Sequence, residues 1–266
     1  GEHRFPVEGM LYPDQTSEVC QTSDVLGRYS AVKLFLQSAR RARPGFELTA
    51  ENVADVVRIC RLVEGMPLGI LLAAAWAGML TPAEIADEVR RSLDFLETDW
   101  RDLPARHKSV RAVFDHSWGL LGERERETFA ELSVFRGGFT RGAAERVVGA
   151  SLRELMALAN RSLVHRTSTG RYEVHELLRQ YAAEKLTESP DVERQVRDRH
   201  GAFYAAELAR WDAELKGSRQ LTALAEIEAD IGNARAAWGW AVAQGQVQEL
   251  DRAMDGLCRF YEWRGR

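Results

Sequence analysis

The sequence predicts a mainly α protein: a four-helix bundle, a winged-helix domain with one β-hairpin, and a closing set of α-helical hairpins. Three observations carry that reading. Apolar residues recur at helical spacing through most of the chain. Around residues 163–175 the period changes to two for the length of one hairpin. Capping boxes and Pro or Gly breakers divide the chain at helix-length intervals. An apolar fraction of 45% with only 21 Gly and 7 Pro excludes disordered and low-complexity chains. The 266 residues leave room for about two or three domains.

Residues 1–15 open with Arg4-Phe5-Pro6-Val7, which reads as one short strand with no second strand near it. A lone strand cannot satisfy its backbone groups, so it is expected to close a sheet whose other members lie upstream. The bundle is expected over 16–100. Val32, Phe35, Leu36 and Ala39 share a helical face, as do Val53, Val56, Val57 and Cys60, with Thr49 as expected N-cap of the second helix. Gly65 has the place of a helix-terminating glycine and Pro67 that of a helix-opening proline. The segment 68–80 is apolar on all sides, so this helix should be surrounded by the others. Thr81-Pro82-Ala83-Glu84 is a capping box that opens a fourth helix toward Leu96.

The winged-helix domain is expected over 101–186. Val110, Val113, Phe114, Ser117 and Leu121 keep helical period, and a second helix with Phe129 and Leu132 ends at Arg136-Gly137-Gly138. Thr140 caps a short third helix. Ser151-Leu152-Arg153-Glu154 opens another, with Leu152, Leu155, Met156 and Ala159 expected to face inward. Leu163–Arg166 and Arg171–His175 then form a hairpin around Thr-Ser-Thr-Gly, followed by a helix burying Leu178, Tyr181 and Ala182. Over 187–266, long amphipathic helices begin at Pro190, near Leu221 and near Leu250, the last with Leu250, Met254, Leu257 and Tyr261 as its apolar positions. Such pairs suggest the start of an α-solenoid.

The net charge of −4 conceals an acidic–basic–acidic order. Residues 1–99 hold 10 Lys/Arg against 15 Asp/Glu, residues 100–186 hold 15 against 11, and residues 187–266 hold 11 against 14. The middle is only weakly basic, and nucleic-acid footprints are usually denser. No apolar run reaches the ~20 residues of a membrane helix, and no secretory pattern stands at the start. Three cysteines without close spacing give no disulfide framework and no zinc ribbon, which fits a cytoplasmic location. His107, His116 and His165 lack metal-ligand spacing, so no metal is assigned.

Several segments, in order, resemble the STAND class of signal-transduction ATPases of the NB-ARC type, in the bacterial form with a C-terminal tetratricopeptide-like sensor. Gly65-Met66-Pro67-Leu68 resembles its Gly-Leu-Pro-Leu motif, and Leu132–Phe139 resembles the second helix and turn of its winged helix. Arg101-Asp102-Leu103-Pro104-Ala105-Arg106-His107 resembles its linker. Val174-His175-Glu176 is similar to Met-His-Asp, with Val and Glu as departures, and Ala229–Ala237 resembles the opening of the sensor. The resemblance implies that Pro67 packs on the adenine and His175 contacts the ADP β-phosphate in the resting state, with Gly65 and Glu176 beside them. It also implies an upstream nucleotide-binding domain in cis, an unknown ligand or protein on the sensor, self-oligomerisation on activation, and ADP/ATP with Mg as cofactors of the longer protein.

The residues themselves leave alternatives open. Gly65 and Pro67 are also explained as helix stop and start, and His175 as a strand-end histidine bonded to backbone. Neither a G-x-x-x-x-G-K-[ST] loop nor an apolar strand ending in Asp occurs, so this chain is expected not to be a catalyst, and the longer protein a slow ATPase. The first reading is therefore the regulatory part of a nucleotide-dependent switch. The alternatives are a winged-helix DNA-binding transcriptional regulator and a helical-repeat interaction scaffold. DNA contact is not expected, because helix 151–161 offers only Arg153 and Arg161 with Glu154 between them.

Overall fold

A computed structural model of the chain describes residues 9–13, 29–97 and 109–264. Within these the protein is mainly α, with twelve α-helices and one two-stranded sheet. The expected strand at Arg4–Val7 and the linker at 100–107 lie outside the described residues. Contacts divide the chain after Leu120 into two compact units.

The first unit holds α1 (Ser30–Ala42), α2 (Val53–Leu62), α3 (Pro67–Ala75), α4 (Pro82–Arg91) and α5 (Val110–Gly119). Helix α1 packs on α3 and α2 on α4. The faces read from periodicity are the buried ones: Val32, Phe35 and Ala39 on α1, and Val53, Val56, Val57 and Cys60 on α2. Helix α3 buries Gly69, Ile70, Leu72, Ala73 and Ala74, as its all-round apolarity requires. Burial pushes the Cys60 thiol up to about 12, so it is an inert core residue. The Thr81–Glu84 capping box forms reciprocally, at 2.8 Å for Thr81 N–H to the Glu84 carboxylate and 3.3 Å for the return bond.

Thr49 is not a side-chain cap. The α2 N-cap is Asn52, whose side-chain oxygen accepts from Thr49 N–H at 2.9 Å, while the Thr49 carbonyl accepts from Val53 N–H at 3.0 Å. A closed turn thus precedes the helix and takes over the capping work.

Residues 9–13 cross the α2–α3 turn. Met10 N–H donates to the Gly65 carbonyl at 2.9 Å, Ala31 N–H to Leu11 at 3.0 Å, and Arg61 reaches the Pro13 carbonyl at 3.0 Å.

The second unit begins with α6 (Glu123–Leu132), α7 (Arg141–Val148) and α8 (Leu152–Asn160). Strands β1 (His165–Arg166) and β2 (Tyr172–Glu173) pair antiparallel, His165 opposite Glu173. Phe139, between α6 and α7, exchanges two 2.8 Å backbone bonds with Tyr172 and adds a third rung. Helix α9 (Glu176–Thr187) packs on α6. Long helices α10 (Pro190–Leu215), α11 (Gln220–Gln244) and α12 (Val247–Arg264) follow, with α10 packed against α7, α9, α11 and α12.

Two expected faces differ from those found. On α8, Leu155 and Leu158 are buried, whereas Leu152 and Met156 are 40% and 56% exposed. Only a narrow stripe of this short helix meets α6. On α12 the inward residues are Ala253, Gly256 and Phe260, and Met254 is exposed. Gly256 lies so close to the Leu208 backbone of α10 that a Cβ would collide with it. Close helix approach selects the small residues, and the bulkier Met254 is left outside.

Gly65 has φ +68°, and a Cβ there would run into the Met10 carbonyl. Gly65→Ala is therefore expected to cost about 2–3 kcal/mol, read as a lower urea midpoint of the first unit.

Candidate functional site

The sequence-predicted site residues fall at two helix starts. Gly65 and Pro67 share the α2–α3 turn, in the first unit. There Gly65 N–H closes α2 on the Cys60 carbonyl at 2.9 Å, and Pro67 opens α3 as an exposed residue. Backbone crossing by residues 9–10 explains Gly65 in full, while the exposed Pro67 ring has no such packing role.

His175 and Glu176 stand at the start of α9, in the second unit. His175 leaves β2 in extended conformation and caps the helix: its Nδ1 accepts from Leu177 N–H at 3.1 Å. An accepting Nδ1 places the proton of the neutral ring on Nε2, which makes that atom a donor. Glu176 receives two bonds from Arg179, at 2.7 and 2.8 Å, and one from Gln180 at 3.2 Å. Burial raises the Glu176 pKa, but Arg179, Gln180 and Arg136 outweigh it and hold the carboxyl below its usual value. Arg179 also donates to the Ser133 carbonyl at 3.3 Å. Burial, with the neighbouring Arg179 charge, lowers the Arg136 guanidinium to about 10. The α9 start is thus a half-buried group with two arginines, one glutamate and a donor imidazole, suited to an anion rather than a cation.

Sequence reasoning missed a second polar cluster, buried where the hairpin meets the long helices. Asp230 and Asn233 lie one turn apart on α11 and are 6% and 0% exposed. Arg171 grips Asp230 through two bonds of 2.7 and 3.0 Å and reaches the Gly138 carbonyl at 2.6 Å. Asn233 accepts from Arg136 N–H at 2.6 Å and donates to Gly138 at 3.0 Å and to Asp230 at 2.9 Å. Tyr204 donates to Asp230 at 3.1 Å. Gly232, between them, brings α11 so close that an added Cβ would lie 2.8 Å from the Arg136 carbonyl. Apolar periodicity attends to residues such as Ile231 and Ala234 and passes over the Asp and Asn one position before each. Their i, i+3 spacing was the available signal.

Burial raises the Tyr204 hydroxyl well above its usual pKa, and the Asp230 charge adds to this. His200 faces the same cluster, 3% exposed, with Nε2 3.5 Å from Asn233 Oδ1. Burial pushes it down to about 3, against the Asn233 bond and with help from Arg136 and Arg197. Among the described residues no group of three or more His, Cys, Asp or Glu could hold a metal ion, and no helix is long and apolar enough to cross a membrane.

Known proteins resemble this chain over most of its length. A Mycobacterium tuberculosis protein named "Putative HTH-type transcriptional regulator" is 35% identical over 229 residues, 82% of this chain and 26% of the relative. The regulatory protein AfsR of Streptomyces griseus is 32% identical over 187 residues, 65% of this chain and 18% of AfsR. The chain is related to bacterial regulatory proteins. A further relative, an uncharacterized protein of Mycobacterium tuberculosis, is 31% identical over 203 residues, 72% of this chain and 48% of its own length. The chain thus spans about a quarter of the first of these regulators and under a fifth of the second. No family model and no solved structure matches it. The first of these relatives is named as a transcriptional regulator, and that name describes a protein of which the chain matches about a quarter.

Two outcomes test the buried cluster. Asn233→Ala should cost about 3 kcal/mol by leaving buried Arg136 N–H without its partner and Asp230 and Gly138 C=O each short of one bond, whereas Glu228→Ala on the exposed side of α11 should stay within about 0.5 kcal/mol. The folded pKa of His200 lies below its unfolded value of about 6.5, so the unfolded chain binds the extra proton. Its contribution is complete above pH 6.5 and declines by about 1.4 kcal/mol per pH unit as pH falls toward 3. Urea midpoints between pH 7 and 5 should show that slope, and His200→Gln should flatten it.

Proposed function

We propose that this chain is the regulatory segment of a bacterial transcriptional regulator, with modules over 16–100, 101–186 and 187–266. The observation that carries the proposal is the 35% identity over 229 residues to the mycobacterial protein named as an HTH-type transcriptional regulator. In this reading the α6–α8 helices and the hairpin act as a winged helix on DNA. Helix α8 addresses the duplex with exposed Arg153, and the hairpin brings exposed Arg166 to the backbone. The pairing of Arg161 with Glu125 at 3.4 Å leaves few cations for phosphate, so affinity is modest and salt-sensitive.

A second reading rests on the α9 start. There the chain would also sense a nucleotide held by an upstream domain, with the His175 Nε2–H and Arg179 on a phosphate of ADP and the exposed Pro67 ring on the adenine. The donor tautomer set by the Nδ1 cap supports it. The chain itself supplies no phosphate loop, so any ATP hydrolysis, with its Mg, belongs to the longer protein. The resting state would then be the closed, ADP-bound one, released when the sensor meets its ligand.

Selection from random duplexes, followed by gel shifts between 50 and 200 mM salt, tests the first reading. Binding that Arg153→Ala and Arg166→Ala weaken, each lowering the salt slope by about 1, is the expected result. No retarded band at 50 mM salt sinks it. For the second, His175→Ala in the full-length protein should lower ADP retention by tenfold or more; unchanged retention and unchanged output remove the nucleotide role.

A further inference from the structure

Between the short helix α7 and the long helices α10 and α11 lies an open cavity of about 380 Å³, within the range of small-ligand sites. Phe203, Tyr204 and Trp211 of α10 form its aromatic wall, and Thr140, Gly142 and Ala143 form the side made by α7. Three arginines and three acids also line it: Arg146, Arg171 and Arg210 against Glu207, Glu226 and Asp230.

These charges are not equivalent. Asp230 is held by Arg171, Tyr204 and Asn233. Glu226 accepts from Trp211 Nε1–H at 2.7 Å and from Arg210 at 2.9 Å. Glu207 accepts two bonds from Arg210, at 2.6 and 2.9 Å. Each acid therefore has an arginine partner, with Arg210 shared among Glu207, Glu226 and Glu214, while Glu207 Oε1 is left facing Arg146 at 4.0 Å.

Arg146 is different. Its guanidinium makes no hydrogen bond among the described residues, and its contacts are Glu207 at 4.0 Å and the Phe203 ring at 5.7 Å. Its side chain is 72% exposed at the edge of the cavity. A ligand entering here meets aromatic surface, carboxylates that each have an arginine partner, and one guanidinium that makes no hydrogen bond among the described residues. The lining group with open donors is this exposed guanidinium, so the site suits an anionic acceptor attached to a flat apolar body.

We propose that this cavity binds a small organic acid, with its carboxylate on Arg146 and its apolar body along Phe203 and Trp211. The occupant would touch α7 on one side and α10 and α11 on the other. Binding would therefore stabilise the packing of the hairpin-bearing helices on the long helices, next to the Arg171–Asp230 pair. This inference stands on the cavity and its charges and does not depend on either reading of function given above.

The test uses a shape-matched pair of probes on the whole chain, naphthalene-1-acetate and its neutral amide, followed by calorimetry and thermal melting. The acid should bind at one site and raise the melting temperature, and the amide should bind at least tenfold more weakly. Arg146→Gln should bring the acid down to the level of the amide while leaving the melting temperature of the unliganded chain unchanged. Phe203→Leu should weaken both probes together. Equal affinity for acid and amide, acid binding untouched by Arg146→Gln, or no binding of either at millimolar concentration would each overturn the proposal.

Discussion

The second unit depends on one buried polar match: Asp230 and Asn233 of α11 against Arg171 and the 136–138 turn. A carboxylate and an amide that exclude water are stable only when every donor and acceptor finds a partner. Four groups meet that demand: the Arg171 guanidinium, the Tyr204 hydroxyl, the Arg136 amide and the Gly138 carbonyl. None can shift without leaving the others uncompensated. The match therefore fixes where α11 lies on the hairpin, and α10 with it, since α10 packs along α11. Apolar burial alone would tolerate sliding; this cluster does not.

The segment from Ser133 to Gly138 serves two neighbours at once. Toward α11, Arg136 N–H and Gly138 C=O meet Asn233. Toward α9, the Ser133 carbonyl accepts from Arg179, whose guanidinium holds Glu176 beside His175. The Arg136 side chain turns back on this segment, donating to Ser133 C=O at 2.8 Å, and its charge is felt by both Glu176 and His200. Six residues of loop thus connect the candidate anion-facing end of α9 to the long helices. Any ligand that reorganises one side must act on the same short loop that the other side uses.

Local signals in the sequence were decisive where the physics is local. The capping residues Thr81, Ser151 and Thr140 do what their spacing implies, because an N-cap needs only its own first turn. Thr49 failed because the neighbouring Asn52 offers a tighter turn. The α8 and α12 faces also departed from periodicity. Leu152 and Met156 lie on the correct helical stripe, but α8 meets α6 along only part of it, and on α12 the closeness of α10 chooses Gly256 over Met254. The candidate site was legible in part: His175 and Glu176 do share a helix start, as a strand–helix junction demands. The buried Asp230–Asn233 pair was passed over because, in a linear reading, a charged residue between apolar ones looks solvated.

By itself the sequence determined the mainly α class, most helix limits, the single hairpin and the buried faces of α1, α2 and α9. Each of these follows from periodicity or from hydrogen bonds that span a few residues. Only the tertiary structure decided which polar residues are buried, that Arg171 matches Asp230 across 59 positions, and that Arg146 alone among the cavity's three arginines forms no hydrogen bond among the described residues. The reason is that a charge is defined energetically by its surroundings. Burial, partner and solvent are set by segments far apart in the chain, and no spacing rule brings those segments together.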